Sequence, residues 1–213
     1  MTTTSHEDSL LRQLRALVPL RPLLKHEALR IAELQANHLL DALGVIEPGT
    51  PTEAILALSF IEVHYRSDLP VSGSAQWIKP RWRVLINADE PEVRQRFSLM
   101  HELSHILMHG VADLRSSGAT EVEAEHRAEL IADAFAAALM PRRFVKRLWG
   151  QGVQHPRDLA TYFGVSDVAM RYRLHQLGLT EPYARHEGHR STGPRQIYWR
   201  ERTAHLVPLG VPA

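Results

Sequence analysis

The sequence predicts an α+β fold: a small β-sheet packed on helices, followed by a further helical region. Three observations carry that expectation. Residues 97–109 place Leu99, Met100, Leu103, Ile106 and Leu107 at helical period, as a core-facing stripe. Residues 121–140 form an alanine- and leucine-rich run with no interior Gly or Pro, stopped by Pro141. Residues 60–87 instead hold short stretches rich in β-branched and aromatic residues, separated by Pro and Gly.

Taken in order, residues 1–8 are polar and predict a disordered start. A helix is expected from Ser9 to Leu17, ended by Pro19 and Pro22. Leu23 to Leu43 reads as a longer helix, with Ala28, Ile31, Ala32, Leu34, Leu39 and Leu43 among its apolar positions and Gly44 as its stop. Thr50-Pro51-Thr52-Glu53 looks like a helix start, Thr50 capping and Pro51 in the first turn, with the helix ending near Ser59. Phe60–Tyr65 fits a strand. Ala75–Ile78 and Trp82–Asn87 fit paired strands around Lys79-Pro80-Arg81, and Pro91 opens the helix that contains residues 97–109. After Pro141, Arg142–Trp149 is a short basic amphipathic segment, broken at Gly150-Gln151-Gly152. Pro156–Phe163, Gly164-Val165-Ser166 and Asp167–Leu177 read as helix, tight turn and helix, with Ser166 capping the second, an arrangement similar to a helix-turn-helix. The expected organisation is therefore an N-terminal extension (1–22), a main domain (23–141), a helix-turn-helix-like region (142–178) and a basic tail (179–213). In that tail Ile197-Tyr198-Trp199 is a short strand or docking segment.

Composition narrows the class. A chain of 213 residues with 44% hydrophobic and 23% charged residues can bury a core, and no run approaches the length of a membrane span. The first eight residues are unlike a signal peptide, and cysteine is absent, which excludes disulfides and cysteine-based metal or nucleophile chemistry. A cytoplasmic location is the resulting expectation, with no membrane partner. Charge is uneven: Arg142–Ala213 carries twelve Lys and Arg against five Asp and Glu, or +7, which leaves −6 for the rest of a chain whose net charge is +1. A basic C-terminal third can approach a polyanion or an acidic protein face; a solvated surface is the plainer explanation.

The chemistry sits in His101-Glu102-Leu103-Ser104-His105. Residues four apart share a helix face, so His101 and His105 can aim two imidazoles at one point. That spacing suits Zn²⁺, and Glu102, beside the first ligand, can take a proton from water held there. A zinc site needs one more protein ligand. In the second run Glu121, Glu123 and Glu125 lie in the first turns, where the helix dipole favours acids. Glu129 is different. It lies mid-helix beside Ala128, Ala132 and Ala136, small residues that let another helix approach, and Asp133 follows it at i+4 on the same face. A Glu ligand with a nearby Asp accepting from the far nitrogen of a ligating His is a recurrent pairing.

The string H-E-L-S-H-I-L-M-H, followed by E-x-x-A-D-A-F-A-A-A-L-M-P, resembles the ImmA/IrrE family of zinc metallopeptidases. The likeness extends to Ile86-Asn87, to Arg94-Gln95-Arg96-Phe97, to Leu159-Ala160-x-x-Phe163-Gly164-Val165-Ser166 and to Arg173-Leu174-x-x-Leu177-Gly178, and so covers roughly residues 25–178. It implies a zincin-like fold, His101, His105 and Glu129 as metal ligands, and Glu102 as the general base. Two positions depart from the family pattern. Ser104 stands where Gly is usual, and Asp133 where Asn is usual, which adds a negative charge near the metal. Beside a ligating histidine, Asp133 should raise that residue's basicity.

Other residues are weaker candidates. His109 continues the histidine row by one turn, about 5.4 Å further along the axis, too far for one ion to take all three; interaction with carbonyls at the helix end is its plain role, oxyanion stabilisation its catalytic one. Tyr172 is a remote candidate for the same task. His186 and His189 lie in a loop-like context and read as solvated surface. Arg171, Arg173 and His175 would be offered by the second helix of the helix-turn-helix-like pair to a protein partner or to a DNA groove; the competing expectation is a structural helical pair that completes the peptidase or grips its protein substrate. The functional expectation is a cytoplasmic endopeptidase using Zn²⁺, with Mn²⁺ as the alternative metal. The resemblance implies limited cleavage of a helix-turn-helix transcriptional repressor in a stress or mobile-element response. A sensory domain such as some relatives append has no counterpart in the roughly 35 residues after Leu177. The rival, from another class, is a non-proteolytic metal-binding regulator or toxin–antitoxin component acting through protein or DNA binding.

Overall fold

The computed structural model describes residues 3–111 and 120–181, with side chains from Leu10 onward. The chain begins with α1 (Thr3–Ala16), α2 (Lys25–Ala42) and the short α3 (Thr52–Leu56). Strands β1 (Ile61–Arg66), β2 (Gly73–Ile78) and β3 (Arg81–Asn87) follow, then α4 (Glu92–Met108) and α5 (Glu121–Ala138). Helices α6 (Arg142–Gly150), α7 (Pro156–Phe163) and α8 (Asp167–Gln176) complete the described part. This is an α+β fold with a three-stranded sheet.

The sheet has the order β1-β3-β2. Strand β3 pairs parallel with β1 and antiparallel with β2, so the chain crosses over after β1 and returns by a hairpin from β2. Alternation decides which face is buried: Trp82, Val84 and Ile86 of β3 turn inward while Arg81 stays exposed. Helix α4 packs on that inner face and on α5, and α5 packs on α2.

Two apolar clusters result. The first gathers the sheet with α1 to α5, and includes Leu14, Leu39, Ile86, Leu103, Ile106 and Phe135. The second joins the end of α5 to α6, α7 and α8 through Met140, Phe144, Phe163 and Met170, and Phe97 of α4 packs against both. Residues of the expected N-terminal extension belong to the first: Leu10, Leu14 and Val18 are core residues, and Arg15 donates to the Ile106 carbonyl at 2.8 Å.

Some boundaries differ from expectation. Helix α1 starts at Thr3, within the stretch predicted to be disordered, because propagating a helix back from a docked turn is cheap compared with nucleating one. In α2, Leu34 is exposed; the buried stripe runs through Ala28, Ile31, Ala32, Gln35, Ala36, Leu39 and Leu40, and Leu34 lies off it. Buried Gln35 donates to the Leu14 carbonyl at 2.9 Å, tying α2 to α1. Pro51 is the residue capping α3 rather than part of its first turn, and the helix is over by Leu56. The tail beyond Glu181, with His186, His189 and Ile197-Tyr198-Trp199, lies outside the described residues.

Candidate metal centre

Helix α4 supplies His101, Glu102 and His105, and its apolar stripe fixes their direction. Leu99, Met100, Leu103, Ile106 and Leu107 are all buried, which leaves the two histidines on the flank that meets α5. Helix α5 is started by Thr120, whose hydroxyl accepts from the Glu123 N–H while the Glu123 carboxylate accepts from the Thr120 N–H. This capping box gives Glu123 a structural task beyond the dipole. About two and three turns further, Glu129 and Asp133 face α4. The alanines 132, 134, 136, 137 and 138 are buried and keep the two helices close.

The donors converge. His101 Nε2 lies 3.1 Å from His105 Nε2, and each of these nitrogens lies 3.4 Å from an oxygen of Glu129. On its other side, His101 Nδ1 is 3.1 Å from Asp133 Oδ1. In that contact Nδ1–H donates to the carboxylate, which leaves the Nε2 lone pair to face a metal. Burial alone would lower the His101 pKa, but hydrogen bonds to Asp133 and Glu129 outweigh it and hold the ring at about 9. Burial likewise raises Glu129, and the bonds from His101 and His105 more than reverse this, leaving its carboxyl well below the ordinary range.

The arrangement fits a metal ion. Among the described residues His101, His105 and Glu129 form a group whose donor atoms all lie within 4.8 Å of one another. Two imidazole lone pairs facing each other at 3.1 Å repel unless a cation or proton lies between them. Zinc–nitrogen bonds of about 2.05 Å at tetrahedral angles separate two ligand atoms by roughly 3.3 Å, close to the 3.1 and 3.4 Å separations here.

Glu102 leaves α4 beside the first histidine and packs against β2. The position a Cβ would take on Gly73 is 3.1 Å from Glu102 Cγ and 3.2 Å from its Oε1. The strand expected from Ala75 begins two residues earlier, at Gly73. A glycine within a strand marks close approach by another group, and that was the available signal. Ser104 is buried within α4, consistent with a position where glycine and serine are both small enough.

The remaining candidates separate from this cluster. His109 is the residue that ends α4, and its ring meets Trp82 edge-on at a centroid distance of 4.9 Å. Tyr172 is half-buried against the second apolar cluster. Arg173 is a correction: it was expected on an exposed face, yet it is 0% exposed. Its guanidinium donates to the Met140 carbonyl at 3.1 Å and to Glu33 at 3.0 Å, locking α8 to α5 and α2. Arg171 donates to Asp167 of its own helix at 2.8 Å, and His175 is exposed. Exposed basic charge of this region lies mostly on α6, in Arg142, Arg143, Lys146 and Arg147, opposite buried Phe144, Val145 and Leu148, with Arg143 paired to Asp41 and a further exposed arginine, Arg157, on α7.

A small sheet over a helix that bears H-E-x-x-H, with a glutamate from a second helix facing it, defines a zincin-like, peptidase-type domain. The model of the Peptidase M78 family, described as the IrrE N-terminal-like domain, matches residues 61–175. The chain belongs to that family. No curated protein matches the chain. Among solved structures it is similar to a Mycobacterium tuberculosis transcriptional regulator, at 16% identity and a TM-score of 0.52, over 67% of this chain and 46% of that one. The chain thus spans under half the length of that neighbour, and the likeness is one of fold. Among the described residues no helix is long and apolar enough to cross a membrane.

Proposed function

We propose that the chain is a metal-dependent endopeptidase, with Zn²⁺ or Mn²⁺ held by His101, His105 and Glu129. The observation that carries this reading is the convergence of those three donors next to a carboxylate, Glu102, that is not one of them. A bound ion supplies Lewis acidity at the peptide carbonyl and acidifies water. Glu102 takes a proton from the attacking water and returns it to the leaving nitrogen. Asp133 holds the His101 ring in place through Nδ1. The substrate is a folded protein rather than a digest, and a helix-turn-helix transcriptional repressor is the leading candidate, with cleavage relieving repression in a stress or mobile-element response. The likeness to the ImmA/IrrE family supports this; the scene of action is the cytoplasm.

The second reading is a metal-holding regulator that does not turn over. The exposed cationic face of α6, beside the α7–α8 pair, favours it because such a face suits a polyanion. One experiment separates the two. Candidate repressors are incubated with wild type and Glu102→Gln, with and without Zn²⁺ or Mn²⁺. The peptidase reading expects metal-dependent limited cleavage, reduced at least ~10²-fold in Glu102→Gln with bound metal unchanged. Cleavage that survives in this variant rules out the mechanism.

A further inference from the structure

Strand β2 is one of the two edge strands of the sheet, the one that lies along Glu102. The Asn87 N–H donates to the Ser72 carbonyl at 3.0 Å, so in this antiparallel ladder residues 72, 74, 76 and 78 turn their backbone groups towards β3. Gly73, Ala75 and Trp77 turn theirs away from the sheet. Among the described residues nothing hydrogen-bonds those outward groups. The same three residues pair with Ile86, Val84 and Trp82, so their side-chain positions lie on the sheet face that packs on α4. One end of this edge, Gly73, lies so near Glu102 that a Cβ there would sit 3.1 Å from its Cγ. The other end, Trp77, begins a row of rings: its centroid is 5.5 Å from that of Trp82, which meets His109. Trp82 is buried, but Trp77 is 48% exposed. A large aromatic half in water, at the far end of an open edge that starts at the candidate base, is not completing the core.

We propose that Trp77 is a specificity-determining residue: it takes an apolar or aromatic side chain from an extended substrate segment that adds to the edge of β2. This rests on the peptidase reading above and names the kind of segment the site accepts. Strand addition supplies main-chain bonds without sequence preference, and selectivity then comes from side-chain positions. Directly paired residues share a face, so the substrate residue opposite Gly73 lies over Glu102 and the one opposite Trp77 stacks on the indole. Four positions separate them, about 13 Å at ~3.3 Å per residue. A segment pairing antiparallel runs from Trp77 towards Gly73. The selected side chain therefore belongs to the fourth or fifth residue before the cut.

The test uses the full-length, metal-loaded protein and a pool of unstructured ten-residue peptides with randomised positions, with the cut sites read by mass spectrometry. Wild type should enrich Phe, Trp, Leu or Met at the fourth or fifth residue before the cut. Trp77→Ala should lose about tenfold of that preference, the scale of one apolar side chain in a pocket, and Trp77→Phe should retain most of it. Unchanged selectivity in a folded Trp77→Ala protein overturns the proposal, as does wild-type cleavage with no preference at those positions. If wild type cleaves neither these peptides nor the candidate repressors with either metal, the peptidase reading falls by itself. The same pool is then captured on immobilised Glu102→Gln protein. Enrichment of apolar residues that Trp77→Ala abolishes sustains the edge site, and capture without such enrichment, or no capture, overturns it.

Discussion

Helix α5 carries Glu129 and Asp133 four residues apart, and α8 carries Arg171 and Arg173 two apart. The helical period sends the first pair to one face and the second pair to different faces. Glu129 and Asp133 meet His101 from two sides, at 3.4 and 3.1 Å. Arg171 folds back on Asp167 of its own helix, while Arg173 passes inward to Met140 and Glu33. Both helices show charge in the sequence, but only α5 shows charge at a spacing that has a chemical counterpart elsewhere in the chain. Spacing together with a partner points to a site; a count of charges does not say which way they face.

The sharpest way to break that comparison is to remove acids from α5 one at a time. Glu129→Ala deletes a donor from the cluster, whereas Glu125→Ala removes an exposed acid one turn earlier. Partners that only touch a ligand are worth about 10–100-fold in metal affinity, so loss of a direct donor should exceed ~100-fold. Glu125→Ala should stay near wild type by metal titration. The reverse result means that the wrong acid has been assigned.

On α8 the expected effect is on stability instead. Arg173 is enclosed, and Arg173→Ala strands the Met140 carbonyl and leaves Glu33 without its cation. Breaking a buried pair costs about 3–5 kcal/mol. Glu33 keeps some contact with water, which puts the expectation near the lower end, about 3 kcal/mol. Arg171→Ala loses a helical i,i+4 pair at the surface, about 0.5 kcal/mol. Denaturant unfolding of the two variants measures the contrast. Equal, small losses would return Arg173 to the surface role that the charge count assigned it.

Much of the architecture was legible because periodicity and breakers are local signals. Pro91, Pro141 and Ser166 bound α4, α5 and α8 where they were read, and the β2–β3 hairpin fell around Lys79-Pro80-Arg81. What was not legible depends on tertiary placement. The early start of α1 follows from Leu10 and Leu14 docking, and no pattern in residues 3–8 announces it. Arg173 looked exposed because arginine usually is, yet a carbonyl at the end of α5 and Glu33 of α2 were waiting for it. Gly73 carries no chemistry of its own; its proximity to Glu102 exists only once β2 lies along α4. Glu129 and Asp133 were readable as a pair because their i,i+4 spacing on α5 matches the spacing of His101 and His105 on α4.

The smallest effect concerns Asp133 and pH. Asp133 and Glu129 hold His101 protonated up to about pH 9, so an ion that takes Nε2 must displace that proton. Below pH 9 one proton leaves for each ion bound, and affinity should fall about tenfold for each unit of decrease. Above pH 9 the proton is already gone and affinity levels off. For folding without metal the sign is opposite. A raised histidine pKa contributes stability that is complete below the ordinary value of 6.5 and is lost as pH rises through 9. Asp133→Asn removes one of the two carboxylates that raise His101, and lets its pKa fall towards the ordinary value. The amide oxygen can still accept from Nδ1, so the ring stays oriented, and loss of the charge alone costs the variant up to about tenfold in metal affinity, seen in full above pH 9. At neutral pH the deficit should shrink, because the variant no longer competes with a tightly held proton. Titration against a chromophoric chelator between pH 6.5 and 9.5 measures both curves. Parallel curves would show that Asp133 orients the ring without setting its basicity, and a wild-type affinity independent of pH would remove His101 from the donor set.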